Sequence, residues 1–275
     1  MKIGIYIVLI CFFSNTWASS QSSLISEDDK MLLTLAHKIF KQSIERQNDE
    51  STIQAALHKF KLLLAADPKN PLFLVYQGSI YTLMSQFAWL PWSQNRYTNE
   101  GLEKIKEALQ NLKSIHDNEQ LKVGELQVPI SIETRLVAID SFLRVSDSNS
   151  RNVFGAVKAV LYDLYWSPAF ETVPPSIHAH FHLQAATLAH QENKPCEQEK
   201  QHLQKSLDIV KAADNKLKNW PKAVREKLDK SAKTAKQQLE QLKRKCNKNQ
   251  SQENQSRQNQ SRENQSQQNQ SRQNQ

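Results

Sequence analysis

Glycine is nearly missing from this sequence, with five residues in 275. Past the first few positions only Gly78, Gly101, Gly124 and Gly155 remain, no two of them within twenty residues of each other. That spacing excludes the Gly-rich loops that cradle phosphates, the dinucleotide fingerprint and the Gly-flanked serine nucleophile together. It also argues against sandwiches and barrels, which need many tight turns. No pair of carboxylates stands in the strand-end or pocket context that a glycosidase requires. The chain is therefore expected not to be an enzyme. Beyond Gln21 no apolar run approaches the ~20 residues needed to cross a bilayer.

Before Gln21 the pattern is different. Lys2 precedes an apolar run from Ile3 to Phe13, followed by the small polar cluster Ser14 to Ser22. This is the layout of a secretory signal peptide, with Ala18 or Ser20 as the small residue before the cut. Cys11 does not make it a lipoprotein signal, because Ile10 stands where a small residue is required. Residues 1–20 are thus expected to direct export, and the mature chain to work in the periplasm or outside the cell.

Leu, Lys, Gln, Ala and Glu dominate what remains, a composition that favours helices. Ser51 to Pro68 reads as one helix, with Ala56, Phe60, Leu63 and Pro68 separated by four, three and five residues. After the Asp67-Pro68-Lys69-Asn70-Pro71 turn, Leu74, Gly78 and Tyr81 open the next helix. Its partner, Gly101 to Leu112, is expected after an overlong loop containing Trp89-Leu90-Pro91-Trp92. Ile132 to Val145 and Val153 to Trp166 carry apolar residues at three- and four-residue steps and form another helix pair. Pro174-Pro175 starts a further helix with Leu183, Ala186 and His190, whose partner holds Leu203, Ser206 and Leu207. About nine helices follow from these periodicities.

The Ala56-to-Tyr81 spacing resembles a tetratricopeptide repeat, in which a small residue admits a neighbouring helix, an aromatic fills the groove and a Pro closes the turn. The segment with its Trp-Leu-Pro-Trp loop also resembles a poorly characterised group of bacterial envelope tetratricopeptide proteins, some of which accompany transport systems. The resemblance implies an all-α fold of stacked antiparallel helix pairs over residues 21–248, with a concave surface lined by the first helix of each pair. It implies an adaptor that binds a protein of the cell envelope. Leu74, Tyr76 and Tyr81, with Trp89 and Trp92, are the candidate partner-contact residues. The Trp89 and Trp92 loop has two readings, folded back to cap the core or leaving an indole on the concave rim.

His178, His182 and His190 supply the alternative chemistry. On a helix they share one face, and His178 and His182 lie one turn apart, a spacing that suits zinc or copper. Further ligands would have to come from elsewhere in the fold.

The charge is concentrated. From Lys211 to Lys248 thirteen Lys or Arg stand against four Asp or Glu, an excess of nine, which exceeds the net +8 of the whole chain. The segment lacks the interleaved aromatics of single-strand nucleic-acid binders. Instead Trp220, Val224, Leu228, Ala235, Leu239 and Leu242 form a stripe with the lysines opposite. This describes a helix docked on its predecessor with a solvated basic back, and leaves loose attraction to an anionic membrane surface as the second reading. Cys196 and Cys246 sit at the outer ends of the two helices broken at Asn219-Trp220-Pro221. An antiparallel hairpin brings these ends together, so the pair is expected to form a disulfide in an oxidising compartment. From Asn249 a five-residue Asn-Gln-Ser unit repeats without one apolar residue, and residues 249–275 are expected to be disordered.

Overall fold

The computed structural model describes residues 26–45, 49–123, 126–145, 150–214 and 220–273. The expected signal segment lies outside these. Among the described residues there are ten α-helices, one short 3-10 segment and one two-stranded hairpin. The helices are α1 (Glu27–Glu45), α2 (Glu50–Ala66), α3 (Pro71–Phe87), α4 (Pro91–Gln110), the single turn α5 (Ile115–Asn118), α6 (Ile130–Val145), α7 (Ser150–Tyr165), α8 (Pro175–Gln191), α9 (Cys196–Asp214) and α10 (Lys222–Gln273). Strand β1 (Gln120–Val123) pairs antiparallel with β2 (Leu126–Pro129), Leu121 opposite Val128. The helical periodicities above gave no hint of this hairpin. The Leu121, Val123, Leu126 and Val128 alternation around Gly124 was the available signal.

Local chemistry explains several boundaries. Asp49 caps α2 by accepting from the Thr52 amide at 3.2 Å. Asn70 caps α3, its Oδ1 accepting from the amides of Leu72 and Phe73 at 3.1 and 3.4 Å, while Pro71 occupies the first helical position where no amide is needed. The Asn70 amide group also donates to Asp67 at 3.1 Å, which closes the turn from α2. The long loop expected before Gly101 does not exist. Pro91 starts α4 ten residues earlier, and only Ala88, Trp89 and Leu90 separate it from α3. Proline's fixed φ nucleates the helix there, which the spacing of a standard repeat concealed.

The helices pack in chain order as hairpins. α3 lies against α2, α4 and α6; α6 against α3, α4, α7 and α8; α8 against α6, α7, α9 and α10; α9 lies against α10. Because α3 is enclosed on three sides, fourteen of its seventeen residues are buried, which accounts for a sequence apolar all round. Near the middle of the α3/α4 hairpin the two backbones nearly touch. A Cβ on Gly78 would lie 2.7 Å from the Gly101 carbonyl oxygen and 3.0 Å from the Ile105 amide nitrogen. No side chain can relieve a backbone contact. Gly78→Ala is expected to destabilise by about 1–2 kcal/mol, overpacking outweighing alanine's better helix propensity. Gly155, which has nothing within 4 Å of such a Cβ, is the control: Gly155→Ala should stabilise by up to about 1 kcal/mol. Urea unfolding of both variants checks this, and a stabilised Gly78→Ala would show that α3 and α4 are not held at this distance.

A large apolar cluster runs from α1 to the start of α10, and a smaller one joins Leu183, Ala186, Leu203, Ala235 and Leu242 near the other end of α8 and α9. Cys196 and Cys246 pack on the smaller cluster and form the expected disulfide, with Cα atoms 6.4 Å apart. α10 buries Val224, Leu228, Ala235 and Leu242 and exposes Lys222, Lys230, Lys233, Lys236 and Lys243, as the stripe required. The chain from Asn249 to Gln273 departs from expectation: it continues α10 as helix. No Pro or Gly stops the helix, and extending a formed helix avoids the cost of nucleation. Gln255, Ser256, Gln258 and Gln260 on it are exposed.

Candidate functional site

α3, α6, α8 and α9 carry most of the side-chain hydrogen bonds that join one helix to another. Glu133, Asp140 and Arg144 stand on α6 at steps of seven and four residues, so all three project from one face. The Tyr76 hydroxyl of α3 donates to Glu133 Oε1 at 2.7 Å. Further along, Asp140 Oδ2 lies 3.1 Å from His180 Nε2 of α8, and its Oδ1 accepts from Gln184 Nε2 at 2.8 Å. Arg144 donates to Thr82 Oγ1 of α3 at 3.0 Å and to Ser79 Oγ at 3.4 Å.

Of these groups Tyr76, Ser79, Thr82 and Gln184 are buried, whereas Asp140 and His180 open to solvent in the recess between α6 and α8. The Asp140 and His180 side chains are 43 and 38 % exposed, yet removal from water is the largest single influence on both. Both side chains thus keep an open side while the protein around them takes up the rest. On Asp140 burial pushes the pKa up, but His180, Gln184 and Arg144 together hold it below its ordinary value. On His180 burial pushes the pKa down, and the Asp140 carboxylate overrides this to leave it raised. The charges of Glu133 and of Lys227 on α10 both act on His180 and on His37 of α1.

The candidate contact residues do not form one surface. Leu74 and Tyr76 are each 1 % exposed and belong to the core. Tyr76 stacks on Phe60 at 4.9 Å and meets Phe40 edge-on at 5.1 Å. Packing of α6 across α3 closes the face that the repeat pattern left open for a partner. Tyr81 is half-buried against Tyr97. Trp89 and Trp92 are 93 and 68 % exposed, so the loop does not fold back on the core.

The histidines share a helix face but not a neighbour. His178 packs edge-on against Phe170, His182 Nδ1 faces His202 Nδ1 at 3.2 Å, and His190 pairs with Glu199 at 3.1 Å. Among the described residues no three His, Cys, Asp or Glu side chains gather as a metal would need. Three different segments take up the three rings, so they do not converge on one point. His180, which lies off the face shared by those three, is the histidine in the recess. The seven- and four-residue spacing of charges within apolar α6 was the signal for it.

His182 has a direct consequence for stability. Burial, then His202, Lys205 and His178, lower its pKa from 6.5 to about 4. The unfolded chain therefore binds a proton that the fold refuses between these values, so stability falls as pH drops from 6.5 towards 4. Burial lowers His37, His116, His178 and His202 as well. His180, with its raised pKa, acts in the opposite sense and loses its contribution as pH rises through its folded value. Tm should decline from pH 7 to pH 5, and His182→Phe should flatten that decline. A Tm independent of pH over this interval would contradict the burial of these rings.

No protein-family model, no curated protein and no solved structure matches this chain.

Proposed function

We propose that this chain is an exported helical-repeat adaptor, tetratricopeptide-like in its stacking, that holds a segment of a cell-envelope protein in the recess between α6 and α8. The observation that carries the reading is the Asp140–His180 contact between α6 and α8, where the charges of Glu133 and, from α10, Lys227 also act on the imidazole. In a stack of helix pairs the first helices line the concave side, which suits an extended peptide or a partner helix. The hairpin order of the helices and the close Gly78 and Gly101 crossing support the same stacking. The N-terminal Lys2 and Ile3-to-Phe13 pattern supports export, and the resemblance to envelope proteins accompanying transport systems names the first class of partner to examine.

Crosslinking in intact envelopes, followed by mass spectrometry, tests the reading. The wild-type chain should enrich a defined protein that Lys227→Glu, folded to the same Tm, loses. Identical captures by both chains would show that the recess is not the contact. N-terminal sequencing of the isolated protein should begin after Ala18 or Ser20, and a chain retaining Lys2 would remove the export step.

A further inference from the structure

The turn between α3 and α4 is the most exposed aromatic feature among the described residues. Trp89 is 93 % exposed, Leu90 38 % and Trp92 68 %. No charged residue occurs between Lys69 and Arg96. For buried α3 that absence is ordinary, but it continues unbroken through the exposed Gln86, Leu90, Gln94 and Asn95. In a chain with 23 % charged residues, a neutral, exposed, indole-bearing tip is a distinct local chemistry.

The tip is also held rigidly. Leu90 is extended, Pro91 fixes the first residue of α4, and the Gly78 and Gly101 contact locks the hairpin beneath. Tyr81 stacks on Tyr97 at 6.2 Å, and the Arg96 guanidinium lies 5.0 Å from the Tyr97 ring centre. The backbone that carries the two indoles is therefore already ordered before binding. Protein hot spots are typically aromatics seated in well-packed pockets near the centre of an interface. Two indoles on a convex turn, with neutral polar neighbours and one cation behind them, fit instead the headgroup boundary of a lipid bilayer, where amphipathic Trp rings concentrate. The second exposed aromatic group, Tyr162, Tyr165 and Trp166, differs on each point. Asp163 stands within it, and its rings pack on one another and on Phe181.

We propose that the Trp89-Leu90-Pro91-Trp92 turn is a peripheral membrane-docking wedge that inserts into the interfacial layer of a phospholipid bilayer. Two indoles and a leucine bury too little apolar area to anchor the chain permanently, so attachment through the wedge is reversible. The inference does not depend on the occupant of the recess.

Vesicle binding by the purified full chain tests it. Co-sedimentation and tryptophan emission are measured with vesicles of pure phosphatidylcholine, and with equal parts of phosphatidylcholine and phosphatidylglycerol. The wild-type chain should bind both, with a blue shift of emission. Trp89→Ala/Trp92→Ala, with Tm unchanged, should bind the neutral vesicles roughly ten-fold less well or worse. Leu90→Asp, which keeps both indoles but places a charge at the tip, should act alike. Absence of binding to neutral vesicles would overturn the proposal. So would binding confined to phosphatidylglycerol vesicles and retained by both variants, which would assign the attraction to the basic face of α10. Loss of a protein crosslink in the variants without any lipid binding would make the tip a protein contact and equally overturn it.

Discussion

Opening the Cys196–Cys246 bridge, by reductant or by replacing both residues with Ser, should lower Tm by roughly 10 °C. The bridge closes a loop across a sequence separation of 50 residues, and the chain-entropy estimate for such a loop is about 4 kcal/mol. For a domain of this size each kcal/mol shifts Tm by about 2–4 °C. Local packing gives a further reason to expect a large part of this effect. The end of α10 from Ala235 onward rests on the smaller cluster, where its Ala235 and Leu242 join the buried Leu183 and Ala186 of α8 and Leu203 of α9. Without the bridge this short apolar contact alone must hold the helix to α9. Hydrogen exchange near Leu239 and Leu242 should therefore accelerate more than exchange in α3. Calorimetry with and without reductant gives the first comparison, and the double-Ser variant under oxidising conditions should reproduce the reduced protein. A shift under about 2 °C would mean that the bridge adds little constraint to the unfolded chain.

Tyr76→Ala should destabilise by about 3–5 kcal/mol, the usual cost of removing a large buried aromatic. The ring lies where α1, α2, α3 and α6 meet, against Phe60, Phe40 and His37, with its hydroxyl on Glu133. Its pKa is pushed well above 10 by burial and by the Glu133 carboxylate, so it remains a hydrogen-bond donor at any ordinary pH. Tyr76→Phe keeps the packing and removes only that donor. It should cost about 1–1.5 kcal/mol, or somewhat more because the acceptor is charged. Urea unfolding separates the two variants. The result also decides between two roles for this residue, because a partner-contact tyrosine would lose binding while leaving stability almost unchanged. Partner capture lost by Tyr76→Ala at unaltered stability would show that the ring is reachable and the packing described above is wrong.

Glu133 and the recess show where reading the sequence stops. Within α6 the charges at 133, 140 and 144 are visible as intruders in an apolar helix, but their partners are remote in the chain. The Tyr76 contact spans 57 positions, and the contacts of Arg144 with Thr82 and of Asp140 with His180 span 62 and 40. No local pattern specifies such meetings. The same limit explains the three metal-candidate histidines. Their common helix face was legible from spacing, whereas their division among Phe170, His202 and Glu199 followed from which segment packs against each turn.

The sequence by itself determined the all-α class, the α2 to α3 turn, the α6/α7 and α8/α9 pairs, the buried stripe of α10 and the cysteine pairing. Each of these depends on interactions a few residues apart, or on two helices joined by one break. Tertiary structure decided what the sequence left open. Stacking α6 across α3 turned Leu74 and Tyr76 from candidate contacts into core, because a face is buried only when a distant helix covers it. It left Trp89 and Trp92 outside, because Pro91 starts α4 so early that the hairpin carries the turn clear of the apolar surfaces of the described residues.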